Sequence, residues 1–155
     1  MSTPTLATAL PADAVKIATD PSTEPFWQAA RERRLVAPSC ADCGRFRLPP
    51  SPFCPHCQSS AVVWTQLSGR ATVYTFTVVR GFPGLPGITL VPAVVDLPDA
   101  PGARLVTNVI DVDPADVSIG TALMVDFHPI SDGWLLPVFR VAGSPVPDLA
   151  VKERA

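Results

Sequence analysis

Cysteines 40, 43, 54 and 57 are the residues of this 155-residue chain whose type and spacing could do chemistry. They fall in two pairs, Cys40-Ala-Asp-Cys43 and Cys54-Pro-His-Cys57, in the pattern C-x2-C-x10-C-x2-C. Each pair lets two thiolates reach one ion from a tight turn, and the excursion between pairs brings the second pair back to complete a tetrahedron of sulfurs. Zinc suits that arrangement because it accepts four soft ligands and imposes no geometry of its own; iron is the second choice. Gly44 permits the close-turning backbone of a metal knuckle, and Pro49, Pro50, Pro52 and Pro55 stiffen the loop between pairs. A redox dithiol needs a single C-x-x-C placed before a helix, and neither pair precedes a helical pattern. A disulfide reading needs an oxidising compartment, which nothing in the chain suggests. With four protein sulfurs no coordination position stays open for a substrate or an activated water, so the expected zinc is structural.

Other groups that could do chemistry are few. His56 and His128 are the two histidines. His56 reads as a solvent-facing spacer inside the second pair. His128 could form an acid–base pair with Asp126 on the same strand face, although a surface histidine is the more ordinary reading. No nucleophile motif, phosphate loop or carboxylate cluster stands in recognisable context. The chain alone is expected not to be an enzyme.

The elements that must position the cysteines follow from composition and periodicity. The chain is 47% hydrophobic and 17% charged, enough to bury a core, and its 19 prolines are dispersed, which favours short strands and stiff loops over long helices. Residues 1–21 read as a flexible N-terminal arm. A helix is expected over 22–35, with Thr23 as N-cap, Pro25 in the first turn, and Phe26, Trp27, Ala30 and Leu35 on one face. Residues 36–60 form the metal ribbon, with short strands at 36–38 and 47–49. From residue 61 the period becomes two, and strands are expected at 62–67, 71–80, 89–97, 103–111, 121–129 and 135–141, separated by turn-rich segments. Five or six strands without a helix predict a small closed barrel over 61–142, which also removes exposed edges. Residues 143–155 are left as a C-terminal tail.

Two features suggest ligands or partners. The segment 80–87 reads as an apolar loop in which Phe82 and Leu85 either pack on their own barrel or meet a partner or acyl chain. Charge is uneven: five arginines face two acids over 31–57, and seven aspartates face one arginine over 88–132. Arg31, Arg34, Arg45 and Arg47 could hold a phosphorylated ligand as guanidinium forks, and Trp27 is a natural interface anchor. Residues 1–20 lack a basic start and a continuous apolar stretch, and no run approaches the length of a membrane span, so a cytoplasmic protein is expected.

The order helix, four-cysteine ribbon, barrel is unusual, and particular residues carry it: Phe26-Trp27, Arg34-Leu35-Val36, Cys40-Ala-Asp-Cys43-Gly44, Pro49-Pro50, Cys54-Pro-His-Cys57, Ser68-Gly69-Arg70, Val73-Tyr-Thr-Phe-Thr77, Gly120-Thr121, Val125-Asp-Phe127 and Leu136-Pro-Val-Phe139. Over about residues 24–141 the chain resembles the acyl-CoA-associated family that joins a rubredoxin-like zinc ribbon to an OB-fold. The resemblance implies a mainly β protein with an N-terminal helix, the ribbon, and a five- or six-stranded OB barrel. It further implies a non-catalytic subunit that stabilises a thiolase-like enzyme and helps form its acyl-CoA site. The partner class includes lipid-transfer-type aldolases acting on steroid side-chain CoA thioesters. The chain departs from the family pattern at Ala71, where a second glycine is common, and at the proline-rich turn 98–101.

Two rival readings remain at this level. OB barrels and zinc ribbons also bind single-stranded nucleic acid, but the barrel half is acidic where a cationic groove is needed, so no nucleic-acid partner is expected, and no membrane. The other makes the chain a stand-alone acyl-CoA-binding protein, with ribbon arginines on the phosphates and the 81–87 loop over the acyl part.

Overall fold

The computed structural model describes residues 5–144. The expected C-terminal tail therefore lies outside the described residues from position 145 onward.

Helix α1 runs Glu24–Arg31, shorter than the expected 22–35. Its start is set by Asp20 rather than by a Thr23 side-chain cap: the Asp20 carboxylate accepts from the N–H groups of Ser22 (2.7 Å) and Thr23 (3.0 Å). The helix ends where Arg33 takes a left-handed φ of 58° and the chain turns toward the ribbon. Strand β1 (Val36–Cys40) pairs antiparallel with β2 (Val62–Gln66), from Val36 opposite Gln66 to Cys40 opposite Val62. This corrects the sequence reading, which assigned 62–66 to the barrel. Alternation identifies a strand but not the strand it pairs with. The second ribbon strand expected at 47–49 reduces to a single bridge between Ser39 and Phe46.

The barrel is a five-stranded antiparallel sheet in the order β7 (Arg104–Asn108), β6 (Pro92–Asp96), β3 (Arg70–Phe76), β8 (Ala122–Pro129), β9 (Leu135–Val141). It curls until its edges meet. A parallel bridge joins Val109 to Phe139, the Ile110 N–H donates to the Phe139 carbonyl at 2.9 Å, and Thr107 Oγ1 donates to the Pro137 carbonyl at 3.1 Å. Inward positions alternate along the strands, and Val73, Val95, Val109, Leu123 and Phe139 fill the interior. Gly69, at φ +87°, makes the approach to β3: a Cβ there would lie 2.5 Å from Val125 Cγ1, so only glycine fits. The proline-rich turn is tied to the same corner, because the Asp99 carboxylate accepts from the Ser68 N–H (2.7 Å) and hydroxyl.

Two expectations change. The segment 80–87 is no loop: β4 (Val79–Phe82) and β5 (Leu85–Leu90) form a hairpin with Pro83 and Gly84 at its tip. Its glycines and prolines hid the alternation, while pairing across the hairpin satisfies the backbone. The arm read as flexible is docked at Ala7 and Thr8: Ala7 is buried, its backbone exchanges hydrogen bonds with Asp111 and Val112, and the Thr8 N–H donates to the Thr89 carbonyl. A short 3-10 turn, Ala12–Ala14, follows.

Candidate metal centre and partner-facing clefts

The two cysteine pairs sit on matched turns. In the first, the Gly44 N–H donates to the Cys40 carbonyl and the Cys40 N–H to the Arg45 carbonyl. In the second, Gln58 donates to Cys54 and Cys54 to Ser59. Each turn needs one left-handed residue, Gly44 at φ 74° and Gln58 at φ 64°. The glycine was the signal that sequence could offer; its glutamine counterpart gave none. The turns face each other, with Sγ–Sγ distances of 3.5 Å between Cys40 and Cys57 and 3.6 Å between Cys43 and Cys54, and all four sulfurs lie within 4.8 Å of one another. A tetrahedron with ~2.3 Å zinc–sulfur bonds has edges of about 3.8 Å, so the donor set fits zinc.

The electrostatics agree. The Cys43 N–H holds the Cys40 thiol down to about 6, despite burial. The Cys57 N–H is the main influence lowering Cys54. Cys57 has its own downward influence from the Ser59 N–H, but neighbouring Cys40, burial and the other thiols push it up to about 12. Cys43, helped by the Arg45 N–H, is likewise raised by burial and by Cys54. Four sulfurs this close cannot all ionise alone, and a divalent cation at their centre would supply the compensation. Cys40 and Cys54 are buried, Cys43 and Cys57 exposed.

The expected ligand and partner residues scatter. Arg47 is buried, donating Nη1 to the Ser59 carbonyl (3.2 Å) and Nη2 to the Ala61 carbonyl (3.4 Å), so it braces the second knuckle and is not free to hold a phosphate. Arg34 Nη2 lies 2.5 Å from Glu32, an exposed pair of little energetic weight. Arg31 stacks 5.0 Å over the Trp134 ring. Arg45 is exposed and enters no ion pair among the described residues. Phe26 is buried, with Trp27 edge-on to it at 5.1 Å and half-buried. Asp126 faces Arg140 (2.7 Å), which also pairs with Asp111, so the carboxylate is committed and the His128 acid–base pair does not form.

Three apolar clefts connect the remaining candidates. One, of about 310 Å³, runs between α1 and β7 and is lined by Trp27, Leu48, Pro49, Arg104 and Val106. Another, of about 250 Å³, shares Val106 and continues past Asn108 to Leu10 and Leu90. The third, of about 410 Å³, shares Leu10 and Leu90 and ends between the 3-10 turn and the hairpin tip, at Phe82 and Leu85. The residues at the joints are Val106, 76% exposed, together with Leu10 and Leu90, and sequence alone marked none of them. Trp27 and Phe82 thus bound one apolar band instead of two unrelated patches.

Residues 27–63 match the family described as ChsH2, rubredoxin-like zinc ribbon domain, and residues 64–128 match ChsH2, C-terminal OB-fold domain. The chain is 38% identical over 118 residues to a probable enoyl-CoA hydratase alpha subunit of Thermomonospora curvata, a match covering 76% of this chain and 37% of that protein. It is 37% identical over 59 residues to a DUF35 domain-containing scaffold protein of Pyrococcus furiosus, covering 37% and 43%. The match therefore covers less than half the length of either curated relative. Among solved structures it superposes on a chain of the Ltp2-ChsH2(DUF35) aldolase with a TM-score of 0.74 at 34% identity, covering 82% of this chain and 99% of that one. A DUF35-family protein of unknown function from Sulfolobus solfataricus, at 16% identity and a TM-score of 0.58, covering 79% of this chain and 87% of that one, shares the fold. From the four-sulfur ribbon through the curled OB sheet, this chain belongs to the ChsH2 family, with its rubredoxin-like zinc ribbon and C-terminal OB-fold domain.

Proposed function

We propose that this chain is a non-catalytic accessory subunit that binds a thiolase-like enzyme, stabilises it and helps form its acyl-CoA site. The observation that carries the reading is the similarity to the ChsH2(DUF35) component of an aldolase, which covers almost all of that component. The lipid-transfer-type aldolases acting on steroid side-chain CoA thioesters are accordingly the partner class to test first. The geometry is compatible. The metal site is closed by four sulfurs, so a bound zinc, one per chain, supplies shape and no reactive position. Among the described residues, no histidine or carboxylate pairs with a nucleophile in a cleft. The apolar band from Trp27 to Phe82 offers the exposed hydrophobic surface that a folded partner would cover. The Thermomonospora relative, named for an enoyl-CoA hydratase, favours a second reading in which the partner is hydratase-like; both readings keep a CoA thioester as the substrate class.

Co-expression with thiolase-like and hydratase-like proteins encoded beside this chain tests the proposal. A stable complex, and a partner that loses solubility or activity on its CoA thioester without this chain, is the expected result. A partner equally soluble and equally active alone overturns it.

A further inference from the structure

We propose that the seam between ribbon and barrel is a subsite for an adenine nucleotide phosphate, held by Arg45 and His56 beside Phe46, Pro55 and Pro101. These residues and Gly102 line a cleft of about 410 Å³. It is made by three segments distant in sequence: the residues just after the first knuckle, the interior of the second, and the proline-rich turn between β6 and β7. Only the tertiary structure brings Arg45 and His56 into the same cleft.

Elimination among the cations leads to the same place. Arg47 is spent on the Ser59 and Ala61 carbonyls, Arg34 on Glu32, Arg31 on the Trp134 face, Arg104 on Asp96 and the Tyr74 ring, and Arg140 on Asp111 and Asp126. Lys16, Arg33, Arg70 and Arg80 line none of the clefts described. Arg45 and His56 are exposed, and neither enters an ion pair among the described residues. A guanidinium fork matches phosphate oxygens in pairs, and an imidazole N–H in the same cleft adds a third donor. The half-buried Phe46 and the flat proline faces suit the π-face of a purine. Cationic and hydrogen-bonding side chains beside a half-buried aromatic ring and two proline rings suit a phosphorylated purine nucleoside better than a bare anion.

The acyl-CoA part of the function proposed above would supply such a group as the 3′-phosphoadenosine end of CoA, and the biological meaning of the subsite rests on that reading. Its chemistry is shared with free adenine nucleotides, and the probes separate the two sources.

The full, zinc-loaded chain is titrated with CoA, dephospho-CoA, adenosine 3′,5′-bisphosphate, AMP and inorganic phosphate while backbone amide shifts are followed by NMR. Shifts are expected at residues 45, 46, 56 and 102. Adenosine 3′,5′-bisphosphate and CoA should bind alike, and dephospho-CoA about tenfold more weakly. Arg45→Gln and His56→Gln should each weaken CoA about tenfold with zinc content and melting unchanged. AMP binding as tightly as CoA at the same amides also supports the subsite, with free nucleotide as its source. Where Arg45→Gln disturbs the metal, His56→Gln and the wild-type shift map decide. The proposal is overturned if these amides do not respond to about 5 mM CoA, or respond no more than they do to inorganic phosphate. Partner capture measured on the same variants keeps the readings apart. Lost capture with intact nucleotide shifts counts against the accessory role alone. Intact capture with no shifts counts against the subsite alone.

Discussion

Replacing Arg47 by methionine should destabilise the ribbon and leave ligand binding untouched. The side chain is 4% exposed, its backbone N–H donates to the Pro38 carbonyl at 2.9 Å, and its guanidinium reaches the Ser59 and Ala61 carbonyls at 3.2 and 3.4 Å. It therefore links β1 to the segment that leads from the second knuckle into β2. Methionine keeps most of the stem packing but withdraws both donors. A hydrogen bond from a charged donor contributes about 1.5–3 kcal/mol at good geometry, and these two are long, so about 1–1.5 kcal/mol each is the reasonable figure. Against the resulting 2–3 kcal/mol stands relief of a desolvated charge whose Nε has no partner. The net cost is about 2 kcal/mol, or about 4–8 °C in Tm for a chain of this size. Calorimetry of the zinc-loaded protein reads the shift, and zinc transfer to a chromogenic chelator reads the knuckle. Metal should leave faster from Arg47→Met, and Arg47→Lys should rescue little, because an ammonium cannot span two carbonyls as a fork does. A variant that melts within about 1 °C of the parent and releases zinc at the same rate refutes the strut. Unchanged stability with lost nucleotide binding would restore Arg47 to the ligand set.

Cys40→Ser should lose the metal and unfold the ribbon while the barrel still melts cooperatively, as seen by metal analysis and far-UV circular dichroism, since the ribbon has little apolar material to fold unaided. Gly69→Ala should cost at least about 2 kcal/mol, from the left-handed φ and the overlap with Val125, without changing zinc content. Phe82→Ser with Leu85→Ser should leave zinc and melting nearly unchanged yet weaken partner assembly, measured by interferometry; unchanged assembly would remove the hairpin tip from the interface. Asp99 is held below the usual carboxylate range by the Ser68 hydroxyl and N–H. Its contribution is present above the unfolded value, near 4, and is lost as pH falls through the lower folded one, so Asp99→Asn should flatten the acid limb of the stability profile.

The four-sulfur cluster was legible in the sequence because its determinants are local: two C-x2-C turns specify four donors whatever surrounds them, and Gly44 marks the first knuckle. The barrel was legible as alternation, and the run of motif residues from Phe26 to Phe139 placed the chain in its family. Pairing was not legible. Val62–Gln66 alternates like a barrel strand yet joins β1, and the glycine- and proline-broken segment after Arg80 folds as a hairpin once each half supplies the other's hydrogen bonds. The fate of individual cations was equally hidden. Arg45 and Arg47 are two residues apart on one basic stretch, but one points to solvent at a seam and the other is buried against two carbonyls. Composition and spacing report which groups a chain owns. Whether a charge is spent inside the fold or left to meet a ligand depends on the groups that other segments bring beside it, and only the tertiary structure decides that.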